Sequence, residues 1–191
     1  LSMKCRQVSS GAVYLDPEML ASGLLKVGAE KKWAELHDAK IDALRELVDE
    51  LQGQPLLVAN EFEHEVERLR KALPDAVFAS DYSAGKWPGV VERWNRGEIR
   101  VLVAHPASVG HGNNMQACAC HVCWLNPTWN LELHDQFLAR VWRQGNKASR
   151  CFNHFLIAEG TIDELVYVVL QGKDRDQKAL FSALKAYRKA S

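Results

Sequence analysis

No stretch of this 191-residue chain strings together the roughly 18 apolar residues that a bilayer-spanning helix requires. No N-terminal pairing of basic and apolar segments marks a secretory leader. Internal repeats and low-complexity tracts are missing as well, which argues against a solenoid or a disordered linker. Net charge is missing too: 24 Lys and Arg balance 24 Asp and Glu. The balance hides a mild asymmetry. Residues 16–75 carry 14 acidic against 8 basic side chains, whereas residues 76–191 carry 14 basic against 10 acidic. A polyanionic partner would meet the second part, although ordinary surface variation produces as much.

Cysteine is sparse and odd in number: Cys5, Cys118, Cys120, Cys123 and Cys151. An odd count in a chain of this size, without a leader, argues against a disulfide framework and for a reducing, cytoplasmic compartment. Three of the five lie in "CACHVC" (118–123) beside His121, which raises zinc. No second ligand pair follows, and alternate residues of a strand point to opposite faces. Small apolar cysteines in a buried strand are the favoured reading, and no metal is expected.

A phosphate loop is also absent. Gly-x-x-x-x-Gly-Lys-Ser/Thr occurs nowhere: Lys86 follows Gly85 but precedes Trp87, and Lys173 follows Gly172 but precedes Asp174. The "VDEL" of 48–51 lies in an amphipathic helix rather than at a strand end, so it is not a magnesium-binding Asp-Glu. The chain is therefore not expected to hold a nucleoside triphosphate by itself.

What is present is alternation. Residues 1–29 show weak periodicity and four glycines or prolines, and they read as an irregular lead-in or linker. From Glu30 to Leu51, Trp33, Leu36, Ile41, Leu44, Leu47, Val48 and Leu51 recur at helical steps. "PLLVAN" (55–60), "AVFAS" (76–80), "IRVLVAH" (99–105), "HVCWLN" (121–126) and "RCFNHFLIA" (150–158) read as strands. Helices are predicted over 61–73, 87–97, 131–144, 161–170 and 174–190. Strands alternating with helices imply right-handed βαβ units: an α/β fold with a mostly parallel sheet covered on both faces. Ligands of such sheets sit at the carboxyl ends of strands.

Two segments could carry chemistry. "HPASVGHGNNMQ" (105–116) follows a buried strand, and its glycines permit close backbone approach to a phosphate. Taken alone, a Gly-x-Gly of this kind is more often a polar turn. "HDQFLARVWRQGN" (134–146) sets Gln136, Arg140 and Arg143 at i, i+4 and i+7, one face of a helix, beside an apolar face of Leu133, Phe137 and Val141. Guanidinium groups are always charged and fork onto phosphate oxygens. A solvated basic face is the competing explanation, and on these residues alone the two are evenly matched.

Taken in order, "PLLVANEF", "WNRGEIRVLVAHPASVGHGNNMQ" and "HDQFLARVWRQGN" resemble the C-terminal helicase lobe of superfamily 2. More narrowly, they are similar to Swi/Snf-type DNA-dependent ATPases, bacterial and phage-encoded members above all. The resemblance runs from about His37 to the end of the chain. It implies a RecA-like three-layer fold over residues 30–191, without the phosphate loop of its partner lobe. In that family two lobes clamp ATP with Mg2+ between them, and the first lobe carries the phosphate loop. "PLLVANEF" matches motif IV, "HPASVGHGNNM" motif V and "QFLARVWRQGN" motif VI.

The resemblance implies that Arg143 is the arginine finger, Arg140 its partner and Gln136 a helper at the nucleotide. It implies that Gly110, Gly112 and Asn114 line the nucleotide cleft. His105, Pro106 and Ser108, with Asn60 and Phe62, would face the DNA, which is expected to be double-stranded. The motif V loop would then touch both ligands. Two positions depart from the family. His105-Pro106-Ala107-Ser108 replaces the Ser-Thr that many relatives carry before the glycines, and motif VI ends Gly145-Asn146 rather than Gly-Gln. The expected function is the C-terminal half of an ATP-dependent DNA translocase or helicase, inactive as a hydrolase without its N-terminal lobe. The alternatives are a non-catalytic nucleic-acid-binding module of the same fold and a zinc-dependent binding domain.

Overall fold

The computed structural model describes residues 2–16, 32–109 and 114–172. The predicted closing helix over 174–190 and residues 110–113 lie outside the described residues. The central elements are β3 (Leu56–Ala59), α3 (Glu63–Ala72), β4 (Val77–Phe78), α4 (Trp87–Asn95), β5 (Val101–Ala104), β6 (His121–Trp124), α5 (Leu131–Val141), β7 (Phe152–Phe155) and α6 (Ile162–Gln171). They follow α1 (Ser2–Ser10), β1 (Ala12–Tyr14), β2 (Trp33–Glu35) and α2 (Ala39–Glu50). Strands β3 to β7 form one parallel sheet in the order β4-β5-β3-β6-β7.

The three inner strands read LLVA, VLVA and HVCW, and every residue in them is buried. A strand covered on both faces has no polar side to show, which is why these tetrads are continuous rather than alternating. In register, Leu57, Leu102 and Val122 fall on one face, with Ala59, Ala104 and Trp124 beyond them. That face packs on Val90 and Trp94 of α4 and on Phe137 and Val141 of α5. Leu56, Val58, Val101, Val103 and Cys123 project the other way, onto Ile41, Leu44 and Val48 of α2 and Leu69 of α3. Cys123 is fully buried, and burial pushes its thiol up to about 12, so it behaves as a small apolar side chain.

The N-terminal region departs from the sequence reading. Over its described residues, 2–16, the lead-in carries regular structure: α1 is followed by β1, which pairs antiparallel with β2. Trp33–Glu35 is that second strand, and α2 begins only at Ala39. Trp33 and Leu36 fall at helical steps by coincidence; a partner strand about 20 residues upstream captures the first and Gly11 holds the second through its backbone. The carbonyl of Gly11 accepts from the amides of Leu36 (2.8 Å) and His37 (3.2 Å). Gly11 is required there, because its φ is +94° and a Cβ would stand 2.1 Å from the His37 carbonyl.

A buried polar network ties this N-terminal unit to the sheet. Lys40 Nζ meets Asp163 Oδ2 at 2.5 Å and donates to Asn126 Oδ1 at 2.7 Å. Lys40, Asp163, Asn126 and Glu65 are all at most 4% exposed. Glu65 accepts from Ser10 and Asn126, and caps α3 by accepting from the amides of Glu61 (2.8 Å) and Phe62 (3.0 Å). Asp163 accepts from Ser9 Oγ at 2.9 Å. Arg6 pairs with Glu61 through both guanidinium nitrogens and donates to the Pro127 carbonyl at 2.9 Å. Burial lowers the Lys40 pKa, and Asp163 opposes that shift.

Removing one member of such a pair strands the other. Lys40→Met is expected to destabilise the chain by about 3–5 kcal/mol in urea denaturation, because Asp163 loses its cation. Lys40→Met with Asp163→Leu should recover most of that loss; an equally unstable double variant would contradict the pairing. A second expectation concerns pH. His64 is fully buried, stacked on Phe62 at 5.2 Å and flanked by Tyr14, with neither ring nitrogen hydrogen-bonded. Burial lowers its pKa, as it does those of His121 and His154. The unfolded chain therefore binds more protons just below the ordinary histidine value of about 6.5, so stability falls with falling pH. His64→Leu should reduce the fall in melting temperature between about pH 7 and pH 5; an unchanged fall contradicts this assignment.

Candidate functional site

Because β5 and β6 run parallel, the chain between them must cross from the carboxyl edge of the sheet to its amino edge. No regular helix makes this crossing among the described residues. The predicted site is therefore stretched over two edges rather than gathered at one.

At the carboxyl edge, Asn60, Glu61, His105, Pro106, Asn126 and Thr128 line one small cleft. His105 is exposed, and its carbonyl accepts from both the amide (2.9 Å) and the hydroxyl (2.7 Å) of Ser108. Its Nδ1 accepts from the amide of Ala107 at 3.2 Å, which closes a tight turn with Ser108 outermost. Pro106 and Asn60 are buried at the floor, and the Asn60 amide donates to the Ala104 carbonyl. Phe62, just beyond Glu61, is turned inward. At 7% exposure it lies in an aromatic cluster with Tyr14 and His64, so the expectation that it faces a DNA track is corrected. Its position directly after a strand suggested exposure; the apolar partner that buries it comes from distant β1.

At the amino edge, residues 114–118 are pinned to α4 and α5. Trp94 Nε1 donates to the Met115 carbonyl at 2.9 Å, and Asn95 Nδ2 to the Asn114 carbonyl at 2.7 Å. Asn95 Oδ1 accepts from the Ala117 amide at 3.2 Å. The Met115 amide donates to the Arg140 carbonyl at 3.1 Å, and Met115 itself is fully buried. Arg143 Nη1 then donates to Asn114 Oδ1 at 2.7 Å. Two residues chosen from separate motifs are thus hydrogen-bonded to each other. Gly110 and Gly112, predicted beside them, lie outside the described residues.

The predicted single helical face for Gln136, Arg140 and Arg143 does not hold. Asn130 caps the start of α5, its Oδ1 accepting from the Leu133 amide at 2.9 Å, but the helix ends at Val141. Trp142 leaves the helical region at ψ 86°, and Arg143 sits on the turn beyond. The cause lies downstream. Asn146 Nδ2 donates to the Val141 carbonyl (2.8 Å) and to the Ala119 carbonyl (2.9 Å) just before β6. A side chain five residues on thus satisfies a last-turn carbonyl that a longer helix would have taken. Gly145, at φ +96°, allows the return. Gln136 is not brought to Arg143: its Nε2 donates to Glu132 Oε1 at 3.0 Å, along the helix toward its start. Arg140 remains half-buried at the end of α5.

Sequence reading missed two participants. Asn95 binds both ends of the 114–117 segment, and nothing in the local pattern marks it. Trp142 is 71% exposed at the mouth of this edge, and its placement next to core-facing Val141 was the available signal. Among the described residues no group of three His, Cys, Asp or Glu side chains is arranged to hold a metal ion. None of their helices is long and apolar enough to cross a membrane.

Comparison with known proteins places this geometry. No family model matches the chain. Protein p41 of Acyrthosiphon pisum secondary endosymbiont phage 1 is 35% identical over 188 residues, covering 96% of this chain and 37% of that protein. The DNA repair and recombination protein RAD54 of Saccharomyces cerevisiae is 33% identical over 87 residues, 44% of this chain and 10% of that protein. The crystal structure of the C-terminal part of the Fun30 ATPase domain superposes with a TM-score of 0.61 at 18% identity, over 86% of this chain and 53% of that one. The chain thus spans little more than a third of the phage relative's length, 37%. Its fold is that of the RecA-like C-terminal lobe of such ATPases, and part of its sequence is similar to RAD54. The resemblance to Swi/Snf-type ATPases read from motif order is matched by likeness of fold and of local sequence.

Asn146→Ala should speed amide hydrogen exchange across residues 142–151 and cost about 1–2 kcal/mol, the scale of hydrogen bonds whose buried acceptors are left unmet. Unchanged protection of that loop would contradict the role given to Asn146.

Proposed function

We propose that this chain is the C-terminal lobe of an ATP-driven DNA translocase, completing an ATP site whose phosphate loop and Mg2+ ligands lie on an N-terminal lobe. The observation that carries the reading is the Arg143–Asn114 hydrogen bond at 2.7 Å. It holds an exposed guanidinium at the rim of the crossover loop while leaving its other N–H groups available to an anion. ATP is the substrate that fits such a donor set: a fork donor meets phosphate oxygens, and Asn114 fixes the fork before substrate arrives.

In this reading Arg143 stabilises charge developing on the transferred phosphoryl group, an effect worth about 10³–10⁵ in rate where arginine fingers have been measured. Arg140 supports it from the end of α5. Mg2+ held by the N-terminal lobe would supply neutralising charge at the phosphates. Lobe closure on ATP brings Arg143 to the γ-phosphate, and reopening follows hydrolysis. The same loop starts at His105 and Ser108 on the opposite edge of the sheet, where these residues would meet the duplex backbone. Tension in one covalent segment thus links nucleotide state to grip on DNA. Duplex translocation without strand separation is favoured over unwinding, on the likeness to Swi/Snf-type enzymes. Phosphate contacts would dominate DNA affinity, so binding should weaken steeply with salt.

The test is Arg143→Ala in the full-length protein. ATP turnover is expected to fall by about 10³ or more while ATP affinity changes little. Loss of affinity with turnover retained would overturn the assignment. Wild-type turnover would return Arg143 to the solvated face that is its alternative.

A further inference from the structure

Cys120 and Cys151 stand just ahead of two neighbouring strands. The register pairs His121 of β6 with Phe152 of β7, and the Phe152 amide donates to the Cys120 carbonyl at 2.7 Å. One residue earlier, Cys120 therefore falls beside Cys151. Neighbouring strands run roughly 4.8 Å apart, and in-register residues of parallel strands project to the same side. That spacing lies within the roughly 4.4–6.8 Å between Cα atoms that a disulfide spans. Both residues precede the ladder proper, so their backbone can adjust to the bond. The Cys120 thiol has only a 4.0 Å contact with Gln54 Oε1 to give up. The remaining cysteines are placed otherwise. Cys118 donates to the Trp94 carbonyl at 2.6 Å, Cys123 is fully buried, and Cys5 belongs to α1, whose Arg6 bonds Glu61 at the carboxyl edge. Cys120 and Cys151 are half-buried, and Cys151 lines two clefts that share Trp142 as a wall, so a small reagent can reach its sulfur. Burial pushes both thiols up, and the nearby Cys120 sulfur pushes Cys151 up further.

We propose that Cys120 and Cys151 are a reversible dithiol–disulfide pair, a redox modification site at the foot of the loop that carries Arg143. The oxidant is a peroxide. The Cys151 thiolate attacks one oxygen of hydrogen peroxide, the O–O bond breaks, and the departing hydroxide takes up the thiol proton as water. Cys151 is left as a sulfenic acid. The Cys120 thiol then attacks that sulfur; the S–S bond forms, the S–O bond breaks, and hydroxide leaves with the Cys120 proton as a second water. Two thiols have lost two electrons and two protons, and one peroxide has become two waters. The bond reaches the Arg143 turn through Asn146. Asn146 Nδ2 donates to the Ala119 carbonyl beside Cys120, to the Val141 carbonyl that ends α5, and at 3.5 Å to the Cys151 sulfur. Joining the sulfurs replaces that last, weak contact with a covalent tie between the two segments Asn146 bridges. The closed loop, residues 120 to 151, contains β6, α5 and the turn of Arg143. The pair stands whether or not Arg143 meets a phosphate.

The experiment treats the full chain with hydrogen peroxide, alkylates the thiols that remain, and maps linkages by peptide mass spectrometry. A Cys120–Cys151 bond is expected, and dithiothreitol should return both thiols. Its rate of formation should rise between about pH 7 and pH 9, as the raised thiols ionise. Cys120→Ser should stop the reaction at the Cys151 sulfenic acid, which dimedone traps. Amide exchange across residues 142–151 should slow in the oxidised chain and should not slow in oxidised Cys120→Ser, because only the first has its loop tied. A bond from either residue to Cys118 or to a second chain overturns the pairing. Recovery of both as free thiols even at the higher pH does the same. A bond that forms while exchange across 142–151 is unchanged or faster overturns the hold on the Arg143 turn.

Discussion

β5 and β6 both run parallel to β3, and this fixes the route of the chain between them. It forces the connecting segment to leave the sheet at one edge and return at the other. Where most βαβ crossovers use a helix for this journey, the described part here is a turn, a buried Val109 and a pinned stretch around Met115. The pinning is backbone chemistry. The Met115 amide donates to the Arg140 carbonyl, and the Met115 carbonyl accepts from Trp94. A loop without its own hydrogen-bond ladder must find partners elsewhere, and it finds them on α4 and α5. The segment around Met115 and the end of α5 are thereby one structural unit.

In the proposed function, that unit would lie between the two ligands. His105 and Ser108 sit at the start of the crossover, Asn114 at its end, and Arg143 is bonded to Asn114. The second anchor is the buried Lys40–Asp163–Asn126–Glu65 network, which joins α1, α2, α3 and α6 around the carboxyl edge. Its charges are desolvated and hydrogen-bonded, so it specifies position more than it adds stability.

Much of this was legible in the sequence. The tetrads LLVA, VLVA and HVCW are apolar throughout because both faces are covered, and each is a strand of the sheet. The helices α4, α5 and α6 fall where periodicity put them, and the order of motifs pointed to the fold. Two of the misreadings depended on a partner distant in sequence, and the third on a side chain just past the helix end. β2 resembled the start of a helix until β1 paired with it. Phe62 looked exposed until Tyr14 covered it. α5 looked three residues longer until Asn146 reached back to Val141. The rule that ligands gather at carboxyl strand ends covered only half the site, since Arg143 and Asn114 lie toward the amino edge.

In the proposed function this lobe supplies arginines to an ATP site it cannot form alone. The most direct measurement is DNA-stimulated ATP hydrolysis by the chain alone and by the chain joined to its N-terminal lobe. The account predicts no turnover from the chain alone and DNA-dependent turnover from the joined protein. Hydrolysis by the isolated chain, or none from the joined protein despite tight DNA binding, would contradict it.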